Sequence, residues 1–502
     1  MALAIVYSRA SAGIDAPLVT VEVHLSAGMA GFGMVGLPET AVKESRDRVR
    51  SALVNSHFEF PIRKITVNLA PADLPKEGGR FDLPIALGIL AASEQIPQDA
   101  LSKYEFVGEL ALSGELRPIR GVLPVALAAH KAGRQLIVPA HNAAEAALVS
   151  EAKVLSAEHL LEVCAHVRGE GSLQTCEPIE ALHSQQLHAD MVDVRGQPHA
   201  KRALEVAAAG RHSLLLVGPP GTGKTMLASR LPGILPPIST AEALESAAVA
   251  SISLSGFDPL TWGRIPFRAP HHSSSGAALA GGGRPPRPGE ISLAHHGVLF
   301  LDELPEFSRS VLECLREPLE SGHITVSRAS FQTLFPARFQ LVAAMNPCPC
   351  GYAGSDAREC QCAPEQVKRY RGKISGPLLD RVDMHVEVAR LAPELLAKTA
   401  KNADENSERI KERVLAAREV QWQRQGKCNA LLSVAELESV AALLPSGETM
   451  LNKVMTKFNL SARVYHRIIK LARTLADLEG VVQVTEKHLS EALHFRCLDR
   501  IR

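Results

Sequence analysis

The chain has 502 residues with 55 Lys and Arg against 54 Asp and Glu, so its net charge of +1 excludes a protein-wide basic field for holding nucleic acid. Its length predicts roughly three domains at about 150 residues each, and aromatic residues at 4% exclude an extended base-stacking surface. The sequence shows no signal-peptide pattern and no apolar run of bilayer length, so we expect a cytoplasmic protein without membrane contact.

Composition and periodicity divide the chain into four regions. Residues 1–167 alternate β-branched runs with alanine-rich helical stretches, which predicts an α+β domain. Residues 168–190 are polar and weakly periodic, as expected of a linker. Residues 191–392 carry an α/β pattern, and residues 393–502 are helical with almost no strand signal. The predicted fold class is therefore multidomain α/β with a C-terminal helical subdomain.

Two turns in the first domain have an active-site appearance, PKEGGRFDLPIAL and GELRPIRGVLPVALAA. They resemble the proteolytic domain of the Lon protease family, which implies a Lon-protease-like (S5-like) fold. In that family the turns carry a serine nucleophile and the lysine that activates it. The nucleophile position holds Arg80, and the base position falls near Leu123. Neither side chain can do this chemistry, so we expect a domain that keeps the fold and does not cleave peptides.

The segment LLLVGPPGTGKTMLASRL predicts a phosphate-binding loop. An apolar strand precedes the motif and a helix follows it, which is the context that such a loop requires. Backbone N–H groups would face phosphate oxygens, the lysine would neutralise the β and γ phosphates, and the threonine hydroxyl would bind Mg²⁺. The predicted ATP-binding residues are Gly218, Pro219, Pro220, Gly221, Thr222, Gly223, Lys224 and Thr225.

The segment HHGVLFLDELPEF predicts the second half of a nucleotide site. Its apolar residues 298–301 form a buried strand that ends on Asp302, a predicted Mg²⁺ ligand, and Glu303, a predicted general base. A further strand, FQLVAAMN, ends on Asn346, which is suited to orienting the attacking water. Together the motifs predict ATP hydrolysis with ATP and Mg²⁺ as cofactors.

Two segments between these motifs are candidates for contact with a nucleic acid. Residues 256–283 separate the first core helices from the LFLDE strand, and SGHITVSRASFQTLFPARF predicts a hairpin with its turn at 328–330. The candidate phosphate contacts are Arg264, Arg268, His271 and His272 on the first segment and Arg328 at the hairpin tip. The alternative is that these cations face solvent without a ligand. Between the two segments, GGGRPPRPG (281–289) is predicted to be a mobile loop.

A cysteine-rich insert follows at 346–365, with the sequence NPCPCGYAGSDARECQCAPE. Two C-x-C pairs on short turns can close a tetrahedral Zn²⁺ site, and four cysteine ligands without an open position would make it structural. An iron–sulfur cluster is the alternative. The candidate ligands are Cys348, Cys350, Cys360 and Cys362.

From about residue 191 to 495 the motifs resemble the AAA+ ATPases, and among them the magnesium-chelatase and MCM-like branch. The resemblance implies an AAA+ P-loop core with a helix-2 insert, a pre-sensor hairpin and a helical lid. ISGPLLDRVDMHVEV resembles that branch's arginine-finger segment, which assigns Arg381 to the γ-phosphate of a neighbouring subunit. LSARVYHRIIKLARTLADLEG is similar to its sensor-2 helix, which implies that Arg463 is the sensor-2 arginine. A finger that acts on a neighbour implies a homo-hexameric ring.

Both arginine assignments have alternatives. Arg381 could form a surface ion pair with Asp380 or Asp383. The sensor role could instead fall to Arg467 or Arg473, which lie on the same predicted helix.

The domain order, the CPC…CQC insert and GFGMVGLPETAVKESRDRVRSAL near the start closely resemble the ComM/YifB family. The resemblance implies a hexameric DNA helicase that promotes branch migration when incoming DNA is integrated during natural transformation and recombination. Its partners would be single-stranded and branched DNA and recombination proteins. The alternative is an AAA+ protein-remodelling or metal-insertion ATPase like magnesium chelatase.

Overall fold

The structure is a computed structural model. It describes residues 3–37, 42, 44–177, 189–283, 285–328, 331–354, 358–390 and 405–500. For residues 328, 331, 499 and 500 it describes the backbone only.

The first domain is built on an eight-stranded mixed sheet. The described strands of this domain are β1 (Leu3–Arg9), β2 (Leu18–Ser26), β3 (Gly31–Val35), β4 (Lys64–Ala70), β5 (Tyr104–Phe106), β6 (Glu109–Leu110), β7 (Leu116–Arg117), β8 (Gln135–Pro139), β9 (Val154–Ala157) and β10 (Gln174–Thr175). The order is β10-β9-β8-β5-β1-β2-β4-β3, and β6 and β7 form a separate pair. In β2 burial alternates through Val19, Val21 and Val23, because successive side chains of a strand point to opposite faces.

The helices of the first domain cover this sheet. They are α1 (Ser45–Asn55), α2 (Asp82–Ala92), α3 (Gln98–Leu101), α4 (Val122–Lys131), α5 (Ala143–Ala146) and α6 (Leu160–Arg168). Every residue of α2 is buried, since the helix is apolar all round and packs against β1 and β2. The predicted boundary at residue 167 is too early, because β10 pairs with β9 and so the sheet continues into the predicted linker.

The second domain has a five-stranded parallel sheet at its centre. Its strands and two small hairpins are β11 (Leu214–Val217), β12 (Phe267–Arg268), β13 (Gly281–Gly282), β14 (Arg287–Pro288), β15 (Val298–Leu301), β16 (His323–Arg328), β17 (Phe331–Pro336), β18 (Gln340–Met345) and β19 (Met384–Glu387). The sheet order is β12-β15-β18-β11-β19. β11, β15 and β18 are buried throughout, as expected of parallel strands covered on both faces. Their carboxyl ends therefore meet at one edge of the sheet.

Helices surround this sheet. They are α7 (Pro198–Gly210), α8 (Lys224–Ile234), α9 (Thr240–Ser251), α10 (Gly276–Ala280), α11 (Glu290–Leu293), α12 (Arg309–Glu313), α13 (Arg316–Ser321), α14 (Pro364–Arg371) and α15 (Gly376–Leu379).

Two expectations for this domain are corrected. β12 pairs with β15 inside the central sheet, so residues 256–283 are not wholly an insertion. The stretch 281–289, predicted to be a mobile loop, contains the paired strands β13 and β14. The hairpin predicted from SGHITVSRASFQTLFPARF is confirmed. Its strands β16 and β17 are antiparallel, and their paired residues run from His323 opposite Pro336 to Arg328 opposite Phe331.

Helices are the main elements in the described part of the C-terminal region, as predicted. Its helices are α16 (Ser407–Gln425), α17 (Val434–Val440), α18 (Pro445–Phe458), α19 (Ala462–Leu478) and α20 (Glu486–His494). Ile468 and Leu471 of α19 share one hydrophobic core with Leu204 of α7 and Leu227 of α8. The helical region and the parallel sheet are therefore stabilised together.

The first domain also packs on the second through an apolar cluster. Val122 and Val125 of α4 belong to the same buried group as Ala243 and Ala247 of α9 and Trp262. Among the described helices, none combines the length and the apolar character needed to cross a membrane.

Candidate nucleotide site and cysteine cluster

The predicted phosphate-binding loop lies between β11 and the start of α8. Gly221 and Gly223 have φ angles of 76° and 84°, in the left-handed region that favours glycine. A Cβ on Gly218 would lie 2.2 Å from the carbonyl oxygen of Val388, so the loop can pass β19 this closely only with glycine there. The Thr222 hydroxyl donates to the carbonyl of Pro219 at 3.0 Å. This conformation brings the loop to the N-terminus of an eleven-residue helix, where backbone N–H groups and the helix dipole favour phosphate.

Lys224 links the loop to the end of β18. Its Nζ donates to the carbonyl oxygens of Gly218 and Pro219 at 2.7 and 2.8 Å and to Oδ1 of Asn346 at 3.2 Å. Burial lowers the pKa of Lys224, while the charges of Asp302 and Glu303 act in the opposite direction. The structure thus gathers a buried ammonium and the Asn346 amide at the edge where a phosphate would sit.

Thr225 and Asp302 meet as the sequence predicts. The threonine hydroxyl donates to Oδ2 of Asp302 at 2.7 Å, and the backbone N–H of Glu303 donates to Oδ1 at 2.9 Å. Asp302 lies directly after β15, and Thr225 is in the first turn of α8. A hydroxyl and a carboxylate at this distance form a pair of hard oxygen ligands, which suits Mg²⁺.

Glu303 is exposed and turns away from the sheet. Its φ of 52° is uncommon for a residue with a side chain, and sparsely populated backbone conformations cluster at active sites. Its Oε2 lies 3.1 Å from Nδ1 of His272. His272, which the sequence suggested as a nucleic-acid contact, therefore lies beside the nucleotide site.

Arg381 lies at the opposite edge of the parallel sheet. It precedes β19, whose first residue Met384 pairs with Leu214, the first residue of β11. Its side chain is 6% exposed, and Nη2 lies 2.6 Å from Oε1 of Glu320. Nη1 donates to the carbonyl of Pro377 at 2.8 Å. The ion-pair partner is thus a residue of α13 that no local sequence pattern indicated.

Arg463 reaches the same carboxylate. Its Nη2 is 3.4 Å from Oε1 of Glu320, and its side chain is 57% exposed. Hydrogen bonding by Arg381 lowers the pKa of Glu320, and the charge of Arg463 adds to this shift. The predicted arginine finger and the predicted sensor-2 arginine therefore lie together around one glutamate.

The other two arginines of α19 have structural partners. Arg467 forms an ion pair with Asp383, which is buried. Arg473 is 2% exposed and lies 2.9 Å from the carboxylate of Asp477. Arg463 is thus the most accessible of the three.

The three arginines among the candidate DNA contacts have different environments. Arg264 is exposed. Nε and Nη2 of Arg268 donate to the two carboxylate oxygens of Glu290 at 2.6 and 2.7 Å, so this arginine has an ion-pair partner in the structure. The backbone of Arg328 ends β16, and its side chain lies outside the described residues.

The four cysteines of the insert converge on one point. The Sγ of Cys348 lies 3.3 Å from that of Cys350 and 3.6 Å from that of Cys360, and Cys350 and Cys360 are 3.5 Å apart. Cys362 completes a group in which all ligand atoms lie within 4.8 Å of one another. Tetrahedral Zn²⁺ with Zn–S of about 2.3 Å would place the sulfurs about 3.8 Å apart, so the four thiols fit a single ion. A backbone N–H of Tyr352 lowers the pKa of Cys350 to about 6, which favours a thiolate at this one ligand. Burial and the neighbouring thiols raise the pKa of Cys360 and of Cys362.

Three family models match successive parts of the chain. Residues 21–142 match subunit ChlI of Mg-chelatase, residues 190–396 match magnesium chelatase subunit ChlI, and residues 404–496 match the C-terminal part of that subunit. The chain is 54% identical to the competence protein ComM of Haemophilus influenzae over 506 residues, covering 100% of this chain and 99% of the relative. The proteins YifB of Salmonella typhimurium and Escherichia coli are each 52% identical, covering 100% of this chain and 98% of the relative. The chain belongs to the ComM/YifB family.

The ComM/YifB family consists of magnesium-chelatase ChlI-type AAA+ proteins, and the matches extend over the full length of this member. AAA+ proteins are ATPases, which agrees with the Lys224, Thr225 and Asp302 arrangement in this family member. Its N-terminal ChlI domain carries Arg80 and the buried Leu123 at the two turns singled out in the sequence.

Proposed function

We propose that the protein is an ATP-driven, ring-forming DNA motor, a helicase that promotes branch migration when incoming DNA is integrated during recombination and natural transformation. The observation that carries the proposal is the meeting of Lys224, Thr225, Asp302 and Asn346 at one sheet edge. That it acts on DNA is supported by the 54% identity to a protein named for competence.

In this proposal ATP supplies the phosphoanhydride bond whose hydrolysis drives movement. Lys224 holds the β and γ phosphates, and Thr225 and Asp302 hold Mg²⁺. Glu303 accepts a proton from the attacking water, which is the general-base role of a carboxylate at the end of such a strand. Asn346 orients that water through the amide that Lys224 already contacts.

Subunits in the proposed motor share their active sites in a homo-hexamer. The parallel strand pair β11–β19 spans four residues, or about 13 Å at 3.3 Å per residue, and separates Arg381 from the phosphate-binding loop of its own chain. Arg381 and Arg463 would therefore act on ATP bound to the neighbour. To do so Arg381 must exchange Glu320 for a phosphate, both of which are oxyanions.

We further propose that single-stranded or branched DNA contacts the exposed Arg264 and the β16–β17 hairpin that bears Arg328. Recombination proteins are proposed as additional partners. The four cysteines would hold Zn²⁺ as a structural ion, since they leave no open coordination position. An iron–sulfur cluster distributes its cysteines over several iron atoms and would need them further apart.

A protein-remodelling or metal-insertion ATPase is the second candidate. It is favoured by the family models, whose descriptions name magnesium chelatase. The two candidates differ in what stimulates hydrolysis, because a DNA motor responds to DNA and loses that response steeply as salt rises.

The test is ATP turnover of the full chain with and without single-stranded and branched DNA over a range of salt. We expect DNA to raise the rate at low salt, and we expect Lys224→Ala to abolish turnover. Lys453→Ala is the matched control, since it removes a lysine from an exposed position of α18. If turnover depends on Lys224 but ignores DNA at every salt concentration, the DNA motor is wrong and the second candidate is favoured.

A further inference from the structure

A cavity of about 260 Å³ lies between the first domain and the second. The first domain contributes Arg80 and Arg120 to its lining, and the second contributes Arg287 of β14 and Thr333 of β17. The cavity is separate from the nucleotide site and from the cysteine cluster, whose residues do not line it.

Two guanidinium nitrogens at this cavity are buried without a partner. Among the described residues, neither Nη1 of Arg80 nor Nη1 of Arg287 has a hydrogen-bond acceptor. The second terminal nitrogen of Arg80 holds the side chain in place, since Nη2 donates to the carbonyl oxygen of Arg120 at 2.9 Å. A buried N–H without an acceptor has a free-energy cost, which is larger in a charged group. A ligand that accepts from both nitrogens would remove this cost.

The charge of the lining selects the class of ligand. Three arginines face one carboxylate, that of Glu77. Burial lowers the pKa of Arg80 to about 10, so the guanidinium still carries its charge at neutral pH. The neutral groups in the lining include the hydroxyl-bearing Ser11 and Thr333, which can donate to an anion as well. Guanidinium groups match the oxygens of phosphate in geometry and charge.

We propose that this cavity binds a small phosphate-type oxyanion between Arg80 of the first domain and Arg287 of the second. The volume is below the roughly 300–1,000 Å³ of pockets that hold drug-sized ligands, so it suits a free anion of the size of phosphate or pyrophosphate. The proposal does not depend on DNA translocation, because it rests on the cavity and its arginines alone.

Binding at this position would connect the first domain to the β16–β17 hairpin. Thr333 belongs to β17, and Arg287 belongs to the neighbouring β13–β14 pair. The anion would therefore add a polar contact between two domains that already meet through the apolar cluster around α4 and α9 and where Gly13 lies against Thr333.

The test is equilibrium dialysis of radiolabelled orthophosphate against the full chain, with saturating Mg²⁺ and ADP to occupy the phosphate-binding loop. We expect the wild-type protein to bind one phosphate per chain. Arg80→Gln and Arg287→Gln should each weaken binding by about tenfold or more, as expected when a hydrogen bond to a charged group is lost. The change Arg63→Gln, at an exposed position of the first domain, should leave phosphate binding unchanged.

Absence of phosphate binding by the wild-type protein, or unchanged affinity in both cavity variants, would overturn the proposal. Because the two substitutions lie in different domains, a folding defect in one domain would not explain weaker binding in both variants. Circular dichroism checks the fold of each variant. The source of the phosphate group follows from competition with a 20-residue oligothymidylate. Displacement of the labelled phosphate from the wild-type protein assigns the site to the DNA backbone, whereas retention of the labelled phosphate assigns it to a free anion.

Discussion

Replacing Glu303 with glutamine should stop ATP turnover while leaving ATP binding intact. If Glu303 is the general base, its loss should slow turnover by about 10²–10⁴-fold, or roughly 3–5 kcal/mol in the barrier. Binding should persist because the contacts of Lys224 and Thr225 do not use the Glu303 side chain. Folding should persist as well, since the Glu303 side chain is 53% exposed and its contact with His272 at 3.1 Å is a surface pair of at most about 1 kcal/mol.

The assay pairs steady-state phosphate release with equilibrium binding of a fluorescent ATP analogue. Glu306→Gln is the matched control, because Glu306 is exposed near the same strand end and contacts Lys373 at 3.3 Å. It should retain normal turnover. A Glu303→Gln rate within about threefold of wild type would refute the general-base assignment, since even the weakest such catalysis is larger.

Mixing Arg381→Ala subunits with Lys224→Ala subunits should restore part of the turnover that each variant lacks, because a shared interface can combine one intact loop with one intact arginine. Turnover over a series of mixing ratios measures this, and no recovery at any ratio would show that Arg381 does not act across subunits. Cys348→Ser should lose the bound metal and unfold at a lower temperature, whereas Cys314→Ser, outside the cluster, should keep it. Plasma mass spectrometry of the purified proteins gives the metal content, and an equal content in both variants would contradict the cluster as a metal site.

The parts of the site that sequence could predict are those governed by local chain geometry. Lys224 follows a buried apolar strand and a glycine-rich turn, and Asp302 ends a second apolar strand, so both positions follow from period and composition. The four cysteines were also predictable, because short C-x-C turns bring each pair together before the fold is considered.

The parts that sequence could not predict depend on contacts between distant elements. Glu320 joins Arg381 and Arg463 only after α13, β19 and α19 have packed, and nothing in its surrounding sequence marks it. Arg268 was expected to contact DNA because it lies on residues 256–283, one of the two segments between the nucleotide-site motifs. Its bidentate pair with Glu290 exists because β12 joins the central sheet beside α11. Two-residue strands such as β10 and β14 are too short to carry a periodic signal.

The apolar cluster between α4 and α9 bears on how the first domain behaves as the protein works. If the ATPase region were produced without the first domain, the side chains of Ala243, Ala247 and Trp262 would be exposed to solvent. Such a fragment would tend to aggregate. The first domain is therefore held against the ATPase core and is not joined to it by a flexible linker alone. If the core rotates during ATP hydrolysis, the first domain should rotate with it as one rigid body, and so should any molecule bound to the first domain.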